Sequence, residues 1–524
     1  MRQLLVIETL ACVAVAAGMT GCGENNRTQP PPDAAGDAMQ PPPDASGDIV
    51  VRGTSVGHFV TDLGVVDAPL DLSHNPTISG LVPTASGFDT HAGTGNRDGS
   101  FMVDLGSAAP PWLLELTYGA GSASAISQFF VGGTTQFDLG SFSLGRPDRA
   151  FPSSGTQVTL NVDGLSSWQA TDGLEVVSSN VGVFATDVET LFPAPPTPGA
   201  AAISSITIPW SNPLIDQTKG DTAMIYQLVT RSGPVFSRAL ERSGPVSPFT
   251  MVDGGTATMT ATLTSVTLDR TLTLHYKRSL FDAFLSQVGP AAGPGLPTGV
   301  RNVIVQALPG IAQRGYFSSG ESPFLAEALL FDNGTTDVDL TFTYGNPFKT
   351  GGVPWDEFVR IAYPFSVPVM AAGSQSATHI NVGFETLIPV AAFPADGTIA
   401  PVISPVRSVN IGGMDLMAPR TAVGLTPTVT WSPPALGAPT GYFVTVTEVT
   451  SDPSNQTVLN AVAEFLLTST TLHIPPSVLV SGHSYLLVIS ADVLPGLDYV
   501  AMPFLGSGVA AHHHATVATA QFTP

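Results

Sequence analysis

Apolar and polar residues alternate in short runs along most of the chain from residue 50 onward. An alternation with a period of two puts every second side chain on the same face, which is typical of a β-strand with one buried face. Turn-forming sequences separate the runs, among them Asp98-Gly99, Asp163-Gly164 and Asp253-Gly254. The pattern predicts an all-β fold of several β-sandwich modules in series, because many short strands joined by such turns form sandwiches.

The middle of the chain, residues 148–418, is predicted to be a central β-rich domain. The sequence leaves open whether it is one large sandwich or two smaller ones. The strands predicted there are Gln157–Val162, Leu174–Val177, Ala223–Thr230, Ala257–Val266, Leu272–Tyr276, Val303–Ala307, Asp337–Tyr344, Phe358–Tyr363 and His379–Phe384.

One helix is predicted within the central domain. Ser279 has a side chain suited to a helix N-cap, and apolar residues recur after it at helical spacing. The residues predicted to share its buried face are Leu280, Phe281, Phe284, Leu285 and Val288.

The first 22 residues have the pattern of an export signal. Arg2 precedes an apolar stretch, residues 4–17, that is shorter than the roughly 20 residues needed to span a membrane. The stretch ends at Met19-Thr20-Gly21-Cys22, which resembles the bacterial lipobox. The resemblance implies that residues 1–21 are a lipoprotein signal peptide and that Cys22 is the lipid-attachment residue.

Residues 22–49 are rich in Pro, Asp and Ala. The sequence PPPDAAGD at residues 30–37 recurs as PPPDASGD at residues 41–48. This segment lacks the apolar residues of a core, and its prolines favour extended polyproline II. It is therefore predicted to be a disordered, semi-stiff linker that lifts the rest of the chain off the membrane.

Residues 50–147 contain a hairpin followed by a strand that begins with tryptophan. The turn Asp98-Gly99-Ser100-Phe101 leads into one strand, Trp112–Tyr118 is the next, and Asp138-Leu139-Gly140 closes the unit. This order is similar to that of the carboxypeptidase-regulatory, prealbumin-like β-sandwich. The resemblance implies a packing or binding module, not the peptidase.

Residues 419–524 contain two strand motifs and a corner motif. The sequence PTVTWSPP at residues 427–434, followed by GYFVTV, resembles strands B and C of a fibronectin type III domain. The sequence LVSGHSY at residues 479–485 resembles its E–F corner. The resemblance implies that Trp431 is the buried core tryptophan and that Tyr485 is the tyrosine-corner residue.

The net charge and the positions of the cysteines restrict which partners and which chemistry the sequence predicts. The chain has 41 acidic and 19 basic residues and a formal net charge of −22. Such a surface repels phosphate backbones, so no nucleic-acid partner is predicted. The two cysteines are Cys12 and Cys22. After cleavage before Cys22, the body has no thiol for a disulfide, a cysteine zinc site or a nucleophile.

A run of three histidines, His512-His513-His514, is the densest candidate for metal binding. Adjacent residues of a strand point to opposite faces, so at most two of the three can bind one ion together. No carboxylate is near the run in sequence, and we predict an exposed loop before a last strand at Ala515–Phe522. Other histidines and aspartates match no compact ligand motif, namely His58, His74, His91, Asp62, Asp71 and Asp89. No metal site and no cofactor is predicted.

Two motifs bear on catalysis. The segment Gly482–Leu486 falls one glycine short of the esterase nucleophile elbow, G-x-S-x-G, because Leu486 stands where the second glycine is needed. Trp355-Asp356-Glu357 places two carboxylates beside an aromatic residue of the kind that lines sugar sites, and Trp168 and Trp210 are further stacking candidates. Burial in a core or capping explains these residues more simply, so no catalytic residue is predicted.

The anchor, the spacer and the order of modules resemble uncharacterised exported lipoproteins of Gram-negative bacteria. We predict a lipid-anchored, non-catalytic cell-envelope protein whose β-sandwich modules bind a surface polysaccharide or another envelope protein. The alternative is an envelope-tethered, glycan-active hydrolase with its site in the central domain. Gly23 occupies the position where aspartate retains some lipoproteins at the inner membrane, so the outer membrane or cell surface is the predicted location.

The substitution Cys22→Ser tests the anchor. Without this thiol no lipid can be attached, so we expect the protein in the soluble fraction or as an unprocessed precursor. Cell fractionation and gel mobility measure the effect, and Cys12→Ser, within the segment predicted to be removed, is the matched control. Unchanged processing and membrane retention of Cys22→Ser would contradict the prediction.

Overall fold

The structure is a computed structural model, and the predicted signal peptide, Cys22 and nearly all of the predicted linker lie outside the residues it describes. The described residues are 48–61, 63–85, 87–119, 125–153, 155–233, 235–290, 301–309, 323–331, 336–349, 355–494, 496–504 and 512–524.

The described residues confirm the all-β prediction: they form several separate sheets of short strands, consistent with sandwich modules. Within residues 48–147 the strands are β1 (Val50–Thr54), β2 (Val56–Thr61), β3 (Gly64–Pro69), β4 (Thr77–Thr84), β5 (Gly87–Gly95), β6 (Ser100–Asp104), β7 (Trp112–Tyr118), β8 (Ile126–Gly132), β9 (Gln136–Asp138) and β10 (Ser141–Leu144).

The central region contains β11 to β27 and short helices. Its strands are β11 (Gln157–Asp163), β12 (Gly173–Ser178), β13 (Val183–Asp187), β14 (Ala202–Pro209), β15 (Met224–Arg231), β16 (Phe236–Pro245), β17 (Thr256–Thr262), β18 (Thr264–Ser265), β19 (Arg270–Tyr276), β20 (Arg301–Pro309), β21 (Phe324–Leu330), β22 (Val338–Tyr344), β23 (Trp355–Val369), β24 (Thr378–Pro389), β25 (Thr398–Ile399), β26 (Arg407–Ile411) and β27 (Met414–Asp415). Its helices are α1 (Arg278–Asp282) and 3-10 turns at Val188–Leu191, Gln217–Lys219, Leu285–Gln287, Pro347–Lys349 and Val390–Ala392.

The C-terminal region adds six strands within the described ranges. They are β28 (Thr428–Ser432), β29 (Gly441–Ser451), β30 (Thr457–Leu467), β31 (Thr471–His473), β32 (Tyr485–Val493) and β33 (His512–Ala518). None of the described helices has the length and apolar sequence that crossing a lipid bilayer requires.

One continuous series of paired strands runs through the described molecule. Its order is β13-β12-β15-β16-β21-β20-β23-β24-β33-β32-β29-β30-β8-β7-β4-β5-β6-β1-β9. Smaller sheets, in the orders β10-β2-β3, β14-β11-β17, β22-β19-β25 and β27-β26-β28-β31, accompany it. The domain boundaries at residues 147 and 418 stay predictions, and the pairings β30–β8 and β24–β33 link segments on either side of them.

The pairing of β30 with β8 is parallel, and it joins segments more than 300 residues apart. Phe129 and Phe465 stack across it with ring centroids 4.6 Å apart and an interplanar angle of 11°. Both rings are fully buried in the largest hydrophobic core, which also takes residues such as Val305 from the central region. Offset aromatic stacking adds about 1 kcal/mol to the free energy of burial. This contact therefore ties the first module to the C-terminal one.

The strands predicted for the central region are all present, with ends shifted by a few residues. The predicted strand Ala257–Val266 is divided into β17 and β18. Alternation is a sufficient signal where one face of a strand packs into a core, whereas β12 is buried along its whole length. In β11, for example, Val158, Leu160 and Val162 are buried while the residues between them are not.

The predicted helix is shorter than its apolar spacing indicated. It spans Arg278–Asp282 and is followed by a 3-10 turn at Leu285–Gln287. Ser279 does not cap it, because its hydroxyl donates a hydrogen bond to Asp337 Oδ1 at 2.9 Å. Leu280, predicted to be buried, is exposed. Packing against neighbouring strands stabilises only one helical turn of this segment. The prediction was wrong because apolar spacing within a segment does not record that packing.

The local geometry expected of the fibronectin-like motif is present. Trp431 is buried and packs edge-to-face on Tyr442 with centroids 5.3 Å apart. The hydroxyl of Tyr485 accepts a hydrogen bond from the backbone N–H of Val480 at 3.0 Å. A tyrosine that bonds backbone a few residues upstream fixes the corner before a strand. Membership in the family stays a prediction.

The substitution Glu464→Gln tests the buried polar contact at the β8–β30 pairing. Glu464 accepts a hydrogen bond from Gln128 Nε2 at 2.9 Å, and burial raises the pKa of its carboxyl. The folded state therefore holds a proton that the unfolded state releases above the ordinary pKa of 4.5. The stability that this proton contributes is fully present below that value and is lost as pH rises through the folded-state pKa.

We expect the free energy of unfolding of Glu464→Gln to depend less on pH above 4.5 than that of the wild type. Urea unfolding at a series of pH values measures it. Asp89→Asn, which neutralises an exposed carboxylate, is the control and should leave the pH dependence of wild type intact. An identical pH dependence in Glu464→Gln and wild type would refute the assignment of a raised pKa to this carboxyl.

Candidate functional site

The three adjacent histidines lie in a strand, not in the loop predicted before Ala515–Phe522. Strand β33 begins at His512 and ends at Ala518. It is inserted between β24 and β32, antiparallel to both, so backbone bonds on two sides hold it extended. The alternation of a strand places His512 and His514 on one face and His513 on the other.

A carboxylate distant in sequence completes a cluster with two of the histidines. In the strand register, His514 stands directly opposite Asp492 of β32 on one side and Glu385 of β24 on the other. Asp492, His512 and His514 each direct one possible ligand atom to a common point, and these atoms all lie within 4.8 Å of one another. His512 Nε2 is 3.8 Å from Asp492 Oδ1.

Neighbouring side chains hold the Asp492 carboxylate in place. The Ser490 hydroxyl donates to Asp492 Oδ1 at 2.7 Å, and the Tyr499 hydroxyl donates to Oδ2. The Tyr499 ring lies against the backbone of Gly441, where a Cβ atom would overlap the ring. Glycine at this position of β29 therefore lets Tyr499 approach closely enough to bond the carboxylate.

The electrostatics of the cluster keep the carboxylates charged and the buried imidazole neutral. Burial lowers the pKa of His514, and the neighbouring His512 adds to this effect. Burial opposes ionisation of Asp492, but the nearby imidazoles lower its pKa overall. Burial opposes ionisation of Glu385 in the same way, while Arg360, 2.9 Å away, and the imidazoles lower its pKa to about 2. At neutral pH the His514 imidazole is thus neutral and has a nitrogen electron pair available beside charged oxygens.

His513 belongs to the opposite face of the sheet. Its Nδ1 lies 3.1 Å from the Thr386 hydroxyl, and burial lowers its pKa to about 4. The histidine run therefore contains two side chains that share an environment and one that does not. Sequence reasoning found the run but missed Asp492, because only the pairing of β32 with β33 brings that residue to it.

Of the other histidines singled out in residues 50–147, two have polar partners within that same segment. His58 bonds Asp67 at 2.8 Å and stacks on Phe142, and His74 bonds the neighbouring Ser73 at 2.7 Å. His91 lies in β5. Within the described part of the chain, none of these belongs to a group of histidines and carboxylates close enough to share an ion. Asp62 lies outside the described residues.

The esterase-like motif has no nucleophile geometry. Gly482 and His483 lie in a turn, and Leu486 is already within β32. The Ser484 hydroxyl donates to Gln521 at 3.0 Å, and the ring of His483 bonds Glu448. Serine and histidine therefore have separate partners, and the segment is a corner that leads into a strand.

The two carboxylates after Trp355 point to opposite faces of β23. Asp356 is exposed, whereas Glu357 is buried, ion-paired with Arg270 and bonded by Asn346 Nδ2 at 3.1 Å. A pair of carboxylates acts on a glycosidic bond only from a shared cleft. Adjacent residues of a strand do not share a cleft. Glu357 instead pairs within the protein, and Asp356 lies at the surface.

No family model and no curated protein matches the sequence. The resemblances to lipoproteins, to the prealbumin-like sandwich and to fibronectin type III domains stay predictions, and Cys22 lies outside the described residues.

Proposed function

We propose that this chain is an exported, lipid-anchored protein of the cell envelope, at the outer membrane or cell surface, whose β body binds another envelope protein without catalysis. The proposal rests on the lipobox-like sequence at Cys22 and on the linker, residues 22–49. That linker leads directly into Val50, the first residue of β1, which is paired on both sides in the main sheet. The tether therefore joins the body at a strand that is hydrogen-bonded on both sides.

The continuous strand pairing supports a role as a rigid platform. The pairings β30–β8 and β24–β33 fix the first, central and C-terminal segments against one another. Loops on such a body are held in constant relative positions. A partner then binds them without the cost of ordering separate domains, which raises affinity for a given contact area.

The exposed apolar edge at β3 is the observation that carries the choice of a protein partner. Leu63, in the turn before β3, is 88% exposed, and Val66 within it is 47% exposed. In its sheet, β3 pairs with β2 on one side. An extended segment of another protein can add to such an edge through backbone hydrogen bonds, with apolar side chains as specificity contacts.

The tryptophans that the sequence offered as sugar-stacking candidates are buried, so they do not support a sugar ligand. Carbohydrate sites stack sugar rings on exposed aromatic faces, and each tryptophan of this chain is at most 5% exposed. The residues concerned are Trp112, Trp168, Trp210, Trp355 and Trp431. The separation of Asp356 from Glu357 likewise means that this pair does not support the hydrolase alternative.

Site-specific photo-crosslinking in intact cells tests the proposal. A benzoylphenylalanine at position 63 or 66 of the full chain should give a discrete adduct with an envelope protein, because these positions lie at the exposed edge. The same residue at Val252, an equally apolar but separate exposed position, is the matched control and should give none.

Two results would contradict the proposal. One is the absence of adducts from positions 63 and 66. The other is specific binding of the detergent-purified full chain to a glycan array, which would favour the polysaccharide ligand.

A further inference from the structure

We infer that Asp492, His512 and His514 form a binding site for a divalent transition-metal ion, with zinc as the expected ion. The site is independent of the partner proposed above and lies on the face of β33 and β32.

The ligand atoms are close to the spacing that zinc requires. Zinc binds imidazole nitrogen at about 2.0–2.1 Å and carboxylate oxygen at about 2.0–2.2 Å, so two ligands of a tetrahedral ion lie about 3.4 Å apart. The three atoms here lie within 4.8 Å of one another, and one pair, His512 Nε2 and Asp492 Oδ1, is 3.8 Å apart. Small side-chain rotations are enough to close the set around an ion, because the backbone positions are fixed by strand pairing.

The surroundings resemble the support that metal ligands have in proteins. Ser490 and Tyr499 each donate a hydrogen bond to Asp492, which leaves the carboxylate oriented toward the imidazoles. Glu385, held by Arg360, stands across the register from His514, and its charge acts on that imidazole. Carboxylates beside ligating histidines fix the ring and increase its basicity.

The charges of the cluster favour a divalent cation. Asp492 and Glu385 contribute two negative charges, and Arg360 contributes one positive charge. A cation placed among these residues therefore gains attraction from the carboxylates.

The kind of ligand selects the ion. Magnesium and calcium prefer six or more oxygen ligands, which this set does not provide. Two imidazoles and a carboxylate suit zinc and its first-row neighbours, and the predicted mature body has no thiolate to divert softer ions. Three protein ligands leave one coordination position for water or a small ligand. His512, whose side chain is 25% exposed, marks the side from which that ligand would enter.

Calorimetric titration of the metal-free full chain, purified in detergent, with zinc chloride tests the site. We expect one saturable site whose affinity is unaffected by excess magnesium. His512→Gln, His514→Gln and Asp492→Asn should each weaken binding more than Tyr499→Phe, which removes a supporting bond and should cost about 10- to 100-fold. The matched control is His513→Gln, which changes the middle histidine of the same run and should bind zinc as wild type does.

The His513→Gln control distinguishes a site that the fold assembles from zinc binding by the histidine run alone. Equal loss in His513→Gln and His512→Gln would overturn the proposal, because it would mean that the run binds zinc without the fold. Wild-type affinity in Asp492→Asn, or no saturable binding in wild type, would also overturn it.

If a variant with a substituted buried ligand fails to fold, thermal unfolding of the other variants still tests the site. Zinc should raise the unfolding midpoint of wild type and of His513→Gln by mass action, but not that of His512→Gln, whose partly exposed side chain can be changed without disrupting the core. An equal rise in His512→Gln would refute the site. The cross-link from position 63 reports on the partner separately, so either proposal can fail alone.

Discussion

The insertion of β33 between β24 and β32 is the constraint on which the rest of the molecule depends. This strand comes from the end of the chain, and its partner β24 lies more than a hundred residues earlier. Its insertion joins the C-terminal strands to the central ones in one sheet. It also places three identical residues in two different environments. Strand alternation directs His513 to one face of the sheet, and His512 and His514 to the other.

The second long-range connection, between β8 and β30, extends the same sheet to the beginning of the described chain. Phe129 and Phe465 stack there, and Gln128 and Glu464 form a buried polar contact beside them. Both connections pair segments that are distant in sequence, so their loop-closure entropy must be overcome before the contacts stabilise the fold. We expect the sheet to close late in folding, after the local hairpins have formed.

The sequence predicted the local structure well because local structure follows from local patterns. Alternation located nine strand segments of the central region but not β13, β14, β16 or β21. The hydrogen bond from the Val480 N–H to the Tyr485 hydroxyl agrees with the corner motif. The helix after Ser279 was predicted too long, because apolar spacing in one segment does not reveal that neighbouring strands pack over only one turn. The histidine strand was predicted as a loop for a similar reason: three polar residues look exposed until their paired neighbours are known.

Which strands pair with one another could not be predicted from the sequence. A strand records which of its faces is buried but not which strand lies beside it, and the pairings β30–β8 and β24–β33 join strands of different predicted modules. The cluster around Asp492 depends on the pairing of β32 with β33, two strands of one predicted module. Asp492 lies 20 residues before His512, at no spacing that a ligand motif would recognise, and is brought into the cluster only by the register of β32 on β33.

X-ray absorption at the zinc edge of the zinc-loaded full chain tests the central claim most directly, because it counts the ligands that this strand insertion brings together. The account predicts two imidazole nitrogens with oxygen ligands at about 2.0–2.2 Å and no sulfur. A first shell of three imidazoles would mean that the histidine run binds as a flexible peptide. Such a shell, or one without imidazole, would contradict both the cluster and the strand register that builds it.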